Sequence, residues 1–158
     1  MAALLQAHGF KLISDDFVPI DRDFQYAHPF PIAMSVKEGS MKILASHFPE
    51  LGKKQLNFIS EEKSVRYLAS EEQDEPTENI YPVKEFIFIK YDPSVDFILE
   101  KLDPLKGIRL LLDQSWVPPV QGNAALLFEK ILQKSFYQLT YSNNEKALEA
   151  ITDLFEND

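Results

Sequence analysis

Apolar and polar positions in the first twenty residues predict a short helix and two strand segments around an acidic break. Residues 1–8 have the pattern of the last two turns of a helix, and Gly9 suits its end because glycine tolerates the positive φ of a helix C-cap. Apolar residues dominate 10–13 and 17–20, which predicts two strands. Ser14-Asp15-Asp16 separates them, so two carboxylates interrupt a stretch that otherwise has the character of a buried core.

In the middle of the chain, the pattern of apolar and polar residues predicts one helix and several strands. Ser40 stands at the N-cap position of a helix over 41–48, on which His47 is expected to be a half-buried packing residue rather than a ligand. The segment 85–91 is apolar at both alternating sets of positions, which is typical of a strand covered on both faces. We therefore expect it to form the centre of the sheet. Shorter strands are predicted at 55–59 and 65–68.

The C-terminal third predicts helices around one more strand. A set of apolar residues follows helical spacing: Leu102, Leu105, Ile108, Leu112 and Trp116. Gly107 weakens that helix by roughly 1 kcal/mol relative to alanine, and Pro118-Pro119 stops it. The sequence then predicts a helix over 123–133 and a strand over 135–141. A last helix is predicted after Ser142-Asn143-Asn144-Glu145, which has the spacing of a capping box. Because no linker divides the chain, the sequence predicts one mixed α/β unit over residues 1–158.

The net charge of the chain limits the kinds of molecule that it is expected to bind. The chain of 158 residues has a formal net charge of −9, and a protein that grips nucleic-acid phosphates needs a basic surface, so no nucleic-acid partner is expected. The acidic residues are crowded between 60 and 80. That crowding predicts a solvated loop, with a surface for docking a partner as the alternative.

Composition also bears on compartment. The chain contains no cysteine, which excludes a disulfide framework, a thiol nucleophile and a cysteine-ligated metal. No apolar run approaches the roughly 20 residues that a membrane span needs. The first residues have neither the basic leader nor the apolar length of a signal peptide. We expect a cytoplasmic protein without a membrane partner.

The adjacent carboxylates of Asp15 and Asp16 have two interpretations from local pattern. Serine and aspartate favour turns because their side chains bond nearby backbone N–H groups, so the pair suits a turn. The alternative is a cleft, in which one carboxylate acts as a general base and the other helps to hold Mg²⁺ or orient a phosphate. Asp21 and Asp23 lie close in sequence, which leaves a metal-dependent enzyme of another class as a further hypothesis.

Several catalytic constellations are missing from the sequence. His8, His28 and His47 are dispersed, so a histidine-rich zinc site would need distant parts of the chain to meet. No GxSxG nucleophile elbow is present. The pair Gly52-Lys53 lacks both the earlier glycine and the following Ser or Thr of a phosphate-binding loop. The residues alone therefore indicate no phosphate cradle.

A family resemblance runs along most of the chain. Residues 1–16, MAALLQAHGFKLISDD, resemble the segment that follows the phosphate-binding loop in the HPr kinase/phosphorylase family and its HPr-kinase-related members. There a GxxGxGKS/T loop leads into a helix of small residues and leucine, and then into a glycine, an aromatic residue and ISDD. The likeness continues at 18–21, 28–31 and 35–40, and loosely at 87–93 and 137–141.

The resemblance implies an incomplete P-loop kinase fold of the HPr kinase and phosphoenolpyruvate carboxykinase type, with a mixed sheet flanked by helices. It implies ATP-dependent phosphorylation of a hydroxyl group, with Mg-ATP as the family's cofactor. Asp15 would be the base that accepts the proton of the attacking hydroxyl. Asp16 would assist near the metal and the γ-phosphate, and so is the candidate metal ligand. Lys37 and Ser40 would lie on the phosphate or substrate side, unless they are simply a solvated lysine and a helix N-cap.

The chain departs from the family at its most characteristic motif. No GxxGxGKS/T sequence occurs in the 158 residues, and that loop and the strand before it are expected to precede Met1. We therefore expect an inactive fragment or degenerate member of the family that by itself binds no Mg-ATP. The alternative is a non-catalytic protein-interaction domain on the same fold. A protein or peptide phosphoacceptor, and a homo-oligomer formed through an exposed sheet edge, are the partners that these hypotheses suggest.

Overall fold

The computed structural model describes residues 1–21, 23–60, 63–69, 79–116 and 123–156, and the described part is mixed α/β with five α-helices and three small sheets. The helices are α1 (Ala2–Ala7), α2 (Met41–Leu44), α3 (Pro104–Gln114), α4 (Asn123–Ile131) and α5 (Asn144–Glu156). The strands are β1 (Tyr26–Ala27), β2 (Met34–Lys37), β3 (Asn57–Ser60), β4 (Lys63–Leu68), β5 (Tyr81–Pro82), β6 (Glu85–Tyr91), β7 (Phe97–Lys101) and β8 (Ser135–Tyr141). Most of the acidic stretch predicted as a loop lies outside the described residues.

The chain divides into two compact units. The first comprises Met1–Pro19 and His28–Ile80, and the second comprises Ile20–Ala27 and Tyr81–Asp158. The α/β character agrees with the sequence prediction, whereas nothing in the architecture of three small sheets identifies a P-loop kinase fold. That all 158 residues form one HPr-kinase-like domain stays a prediction.

The first unit is built on an antiparallel sheet with the order β2-β4-β3. Strand β2 alternates, so that Met34 and Val36 are buried while Lys37 is exposed. The buried side chains of β2 and β4 share a core with α1, α2 and the segment after α2. The members of this core are Ala3, Leu4, Met34, Val36, Leu44, Phe48, Leu51 and Leu68. The apolar residues of the first helix therefore fix α1 against the sheet.

The helix predicted over 41–48 is shorter than expected. It ends at Leu44, and Ser40 makes no side-chain capping hydrogen bond at its start. Pro49 explains the early end, because the residue before a proline is driven out of the helical region. Phe48 accordingly has φ −129° and ψ 77°, and Pro49 opens a 3₁₀ turn that runs to Lys53.

The second unit contains a three-stranded sheet with β8 in the middle, in the order β6-β8-β7. β6 runs parallel to β8, and β7 runs antiparallel to it. The segment 85–91 is a strand, as predicted, but its expected place at the centre of the sheet is wrong: it is the edge strand β6. The central strand is β8, in which Phe136 and Leu139 are almost completely buried.

Helix α3 packs on the three-stranded sheet of the second unit, and its closest approach is at Gly107. A Cβ atom on Gly107 would lie 2.2 Å from Cγ of Phe136, so the glycine lets the helix approach β8 closely. Ile108, one residue on, is buried in the same core. The predicted apolar face was partly wrong: the helix ends at Gln114, and Trp116 is 77% exposed.

Among the helices of the described residues, none combines the length and the apolarity that crossing a bilayer requires.

Candidate functional site

The acidic break lies where the chain bends beside a neighbouring extended segment. Ser14 forms an isolated parallel bridge with Phe30, whose N–H donates to the Ile13 carbonyl at 2.9 Å. The Ser14 hydroxyl donates to the carbonyls of Phe17 and Phe30, and the backbone bends at Asp15 and Asp16. The break is thus a bend of the backbone, and the role of the two carboxylates stays a prediction. The strands expected at 10–13 and 17–20 are not formed, because backbone pairing in this stretch is limited to isolated bridges.

Asp15 is half-buried and is held against the first strand of its unit. The backbone N–H of Ser35 in β2 lies close enough to this carboxylate to favour its ionised form. Burial raises the pKa of the Asp15 carboxyl, and the negative charge of Asp16 raises it further. The Ser35 N–H and the positive amino group of Met1 act in the opposite direction. Asp15 thus takes up a proton more readily than an ordinary aspartate.

Asp16 is exposed, so the two adjacent carboxylates have different surroundings. A half-buried carboxyl with a raised pKa is suited to accepting a proton, because a base works best when its pKa approaches the operating pH. An exposed carboxylate is suited to a hydrated Mg²⁺, which commonly keeps several waters and takes one or two carboxylates from a protein. Pairs of acids separated in this way by their environments are typical of acid–base sites.

Lys37 and Ser40 lie further along the same strand and the turn that follows it. Lys37 is exposed at the end of β2 and stands two residues after Ser35 on the same side of the strand, about 7 Å along it. Ser40 is exposed in the 3₁₀ turn Glu38–Ser40. The structure therefore brings Asp15 to β2 and leaves Ser40 beyond the end of that strand.

Apolar side chains are exposed next to the carboxylates. The rings of Phe17 and Phe30 meet edge to face with centroids 5.7 Å apart, and they are 53% and 42% exposed. Val18 and Ile32 are also exposed. We call these four residues the aromatic patch. Sequence reasoning missed the patch because residues 17–20 were interpreted as a strand, and a hydrophobic pattern does not distinguish exposed from buried side chains.

The described residues gather no metal site of three or more acidic, histidine or cysteine ligands. Asp21 has a local role, since its carboxylate accepts hydrogen bonds from the backbone N–H groups of Gln25 at 2.7 Å and Tyr26 at 3.0 Å. Asp21 and Asp23 belong to the second unit, whereas Asp15 and Asp16 belong to the first. The hypothesis of a metal enzyme built on four aspartates therefore gains no support.

The fit of the residues to Mg-ATP is partial. Asp15 and Asp16 supply the carboxylates that a magnesium ion takes. The chain has only five glycines, and no two lie close enough in sequence to form the glycine-rich loop whose N–H groups cradle phosphates. The exposed carboxylate of Asp16 is therefore suited to the metal, whereas the sequence offers no cradle for the phosphates of the nucleotide.

Two of the three histidines, which are far apart in the sequence, lie close together in the structure. The rings of His8 and His47 have centroids 5.3 Å apart. Both residues are exposed, so the prediction that His47 is half-buried in a packing contact is wrong. Nothing in their spacing of 39 positions along the sequence signals this contact.

Comparison with known proteins adds no relative: no family model, no curated protein and no solved structure gives a significant match to this chain.

Proposed function

We propose that this chain is a fragment or a degenerate member of the HPr-kinase-like, ATP-dependent phosphotransferases that act on hydroxyl groups. The proposal is supported by the ISDD-type sequence and, above all, by one observation: Asp15 is half-buried with a raised pKa beside the exposed Asp16. This is the division of environments that a proton acceptor and a metal-facing carboxylate need.

In this proposal Asp15 accepts the proton of the attacking hydroxyl. The Ser35 N–H favours the ionised form of this carboxylate, while burial and Asp16 keep it basic. Asp16 is the carboxylate available to Mg²⁺. Mg-ATP, when bound, supplies the phosphoryl group and the divalent charge that stabilises its transfer. Because the 158 residues carry no phosphate cradle, we propose that this chain alone is inactive.

The phosphoacceptor in this proposal is a protein or peptide. The aromatic patch beside Asp15 and Asp16 offers exposed apolar area, which suits a peptide side chain better than a small polar metabolite. Lys37, exposed at the end of β2, is a positive group on the same side of the strand as Ser35. We propose that it faces the phosphate or an acidic group of the acceptor.

A fusion experiment tests the proposal without knowledge of the acceptor. A strand and a GxxGxGKS/T loop are joined directly before Met1, and ATP hydrolysis is measured with water as the acceptor. We expect hydrolysis by the fusion, a loss of about a hundredfold or more on Asp15→Asn, and little change on Asp21→Asn as the charge-matched control. A folded fusion without activity, or an Asp15→Asn fusion as active as its parent, contradicts the proposal.

A second candidate function is a non-catalytic protein-interaction domain, which one observation favours. Among the described residues β6 pairs with β8 on one side only, and Ile89 and Tyr91 on this edge strand are 47% and 64% exposed. An apolar edge strand is a template for pairing with another chain. If β6 mediates self-association, sedimentation equilibrium should show an oligomer that Ile89→Lys dissociates. Ile98→Lys on β7 is the control, because Ile98 is 51% exposed on the opposite edge strand. A monomeric chain contradicts self-association through β6.

A further inference from the structure

His8 and His47 form a pair at the surface of the first unit that the proposed phosphotransfer function does not use. His8 follows α1 directly as its C-cap residue, and His47 lies in the turn after α2. The two rings stand with centroids 5.3 Å apart and are tilted by 55°. Both side chains are exposed, so an ion in solution can reach them.

The fold holds the two histidines at this spacing. His8 follows Leu4 by four residues, and His47 lies between Leu44 and Phe48 in the sequence. Leu4, Leu44 and Phe48 are buried in the same hydrophobic core. The His47 N–H also donates to the Leu44 carbonyl at 3.1 Å. Since close-packed cores resist displacement, the backbones that carry the two rings are fixed relative to each other.

A hydrogen bond determines which nitrogen of His8 is free. Nδ1 of His8 lies 2.8 Å from the Leu4 carbonyl oxygen. Because a carbonyl oxygen only accepts, Nδ1 carries the hydrogen and Nε2 keeps its lone pair. Histidine ligands of metals usually donate their other ring N–H to a carbonyl or carboxylate in this way. His8 is therefore already in the tautomer that a metal ligand requires.

The ring spacing matches a tetrahedral ion. A Zn–N bond of 2.0–2.1 Å places the centroid of an imidazole about 3.2 Å from the ion, so two rings at the tetrahedral angle stand about 5.2 Å apart. The observed centroid distance is 5.3 Å. The formal net charge of −9 favours the approach of cations over anions to the chain as a whole. Imidazole nitrogen is a preferred ligand of Zn²⁺ and of its neighbours in the transition series.

We infer that His8 and His47 form a two-histidine binding site for a divalent transition-metal ion of the Zn²⁺ type, with Nε2 of His8 as one ligand. Water or an outside ligand completes the coordination, since no third histidine or acidic residue among the described residues joins the pair. The inference does not depend on phosphotransferase activity.

Calorimetric titration of the 158-residue chain with ZnCl₂ tests the site. Wild type and His28→Gln, which removes the third histidine, should bind one ion with the same affinity. His8→Gln and His47→Gln should each weaken binding by roughly tenfold or more. The loss of binding free energy in the double variant should be smaller than the sum of the two single losses, because the two residues act as one site. Absence of binding, wild-type affinity in either single variant, or an equal loss on His28→Gln overturns the inference.

Imidazole NMR keeps the inference testable if a variant fails to fold. On addition of Zn²⁺ to the wild type, the ¹⁵N signals of His8 and His47 should shift together and saturate at one ion per chain. Nδ1 of His8 should remain protonated, since it stays bonded to the Leu4 carbonyl. Shifts confined to one ring, or equal shifts of His28, contradict a shared site.

Discussion

The carboxylate of Asp15 lies close enough to the backbone N–H of Ser35 for that group to favour its ionised form. Twenty positions separate the two residues in sequence, yet the fold places the acidic bend beside β2. An N–H donor favours the ionised carboxylate, but burial and the charge of Asp16 outweigh it, so the net effect is a raised pKa. Asp15 is therefore positioned by β2 and made basic by its surroundings.

The charge of Asp16 should control the proton affinity of Asp15. We expect Asp16→Asn to lower the pKa of Asp15 without restoring its usual value, because burial, the larger cause, remains. Carboxyl ¹³C NMR titration measures this shift directly. Asp23→Asn is the control, since it makes the same charge change in the second unit. If Asp16→Asn leaves the Asp15 titration unchanged, the two carboxylates do not interact.

The raised pKa of Asp15 should also appear as a pH dependence of stability. The folded state binds this proton more tightly than the unfolded state, so the free energy of unfolding falls as pH rises from the ordinary aspartate range through the raised pKa. The Asp15→Asn variant has no carboxyl at this position, so its free energy of unfolding does not fall with pH for this reason. We expect its melting temperature to exceed that of wild type most at neutral pH, and the difference to shrink in acid.

Asp23→Asn separates this effect from a general loss of negative charge. Neutralising a carboxylate reduces the self-repulsion of a chain with net charge −9, and Asp23→Asn reports that part of the change. Only the stability that Asp15→Asn gains beyond Asp23→Asn is due to the burial of Asp15 and the neighbouring charge of Asp16. Equal gains for the two variants over the whole pH range would mean that Asp15 has an ordinary pKa in the folded chain.

Local patterns in the sequence predicted the helices and strands better than they predicted which strands pair with each other. The first helix and the glycine after it are confirmed, since α1 spans Ala2–Ala7 and Gly9 has φ 89°. The strands at 85–91 and 135–141 have the predicted bounds. The central place expected for 85–91 was wrong because a continuous apolar run is compatible with both edge and central strands, and pairing depends on distant residues.

Some features of the candidate site could likewise be predicted from the local sequence, and others could not. The acidic bend was visible in the sequence because two adjacent carboxylates between apolar segments are unusual. The contact from Ser35 and the meeting of His8 with His47 were not visible, since both join residues far apart in sequence. The aromatic patch was missed for a third reason: exposed and buried phenylalanines look alike in a hydrophobic pattern.

Gly107 should not tolerate even a methyl group. Alanine is the better helix former by roughly 1 kcal/mol, but its Cβ would meet the ring of Phe136 at 2.2 Å. Overpacking of this kind costs about 1–3 kcal/mol or more, so we expect Gly107→Ala to lower the free energy of unfolding. Urea denaturation measures the change. Gly39→Ala is the matched control, because a Cβ there meets nothing within 4 Å. A stabilised Gly107→Ala variant would show that α3 does not pack closely on β8.

Asp103 should contribute more to α3 than its exposed position suggests. Its carboxylate caps the helix by accepting hydrogen bonds from the N–H of Leu105 at 2.9 Å and of Lys106 at 3.4 Å. Loss of such a cap typically costs about 1 kcal/mol, so Asp103→Ala should lower the free energy of unfolding by that order. Asp113→Ala, near the other end of α3, should be neutral or slightly stabilising, because an acidic residue opposes the helix dipole there. Thermal denaturation of both variants compares the two ends of one helix, and equal destabilisation would mean that the cap has no special role.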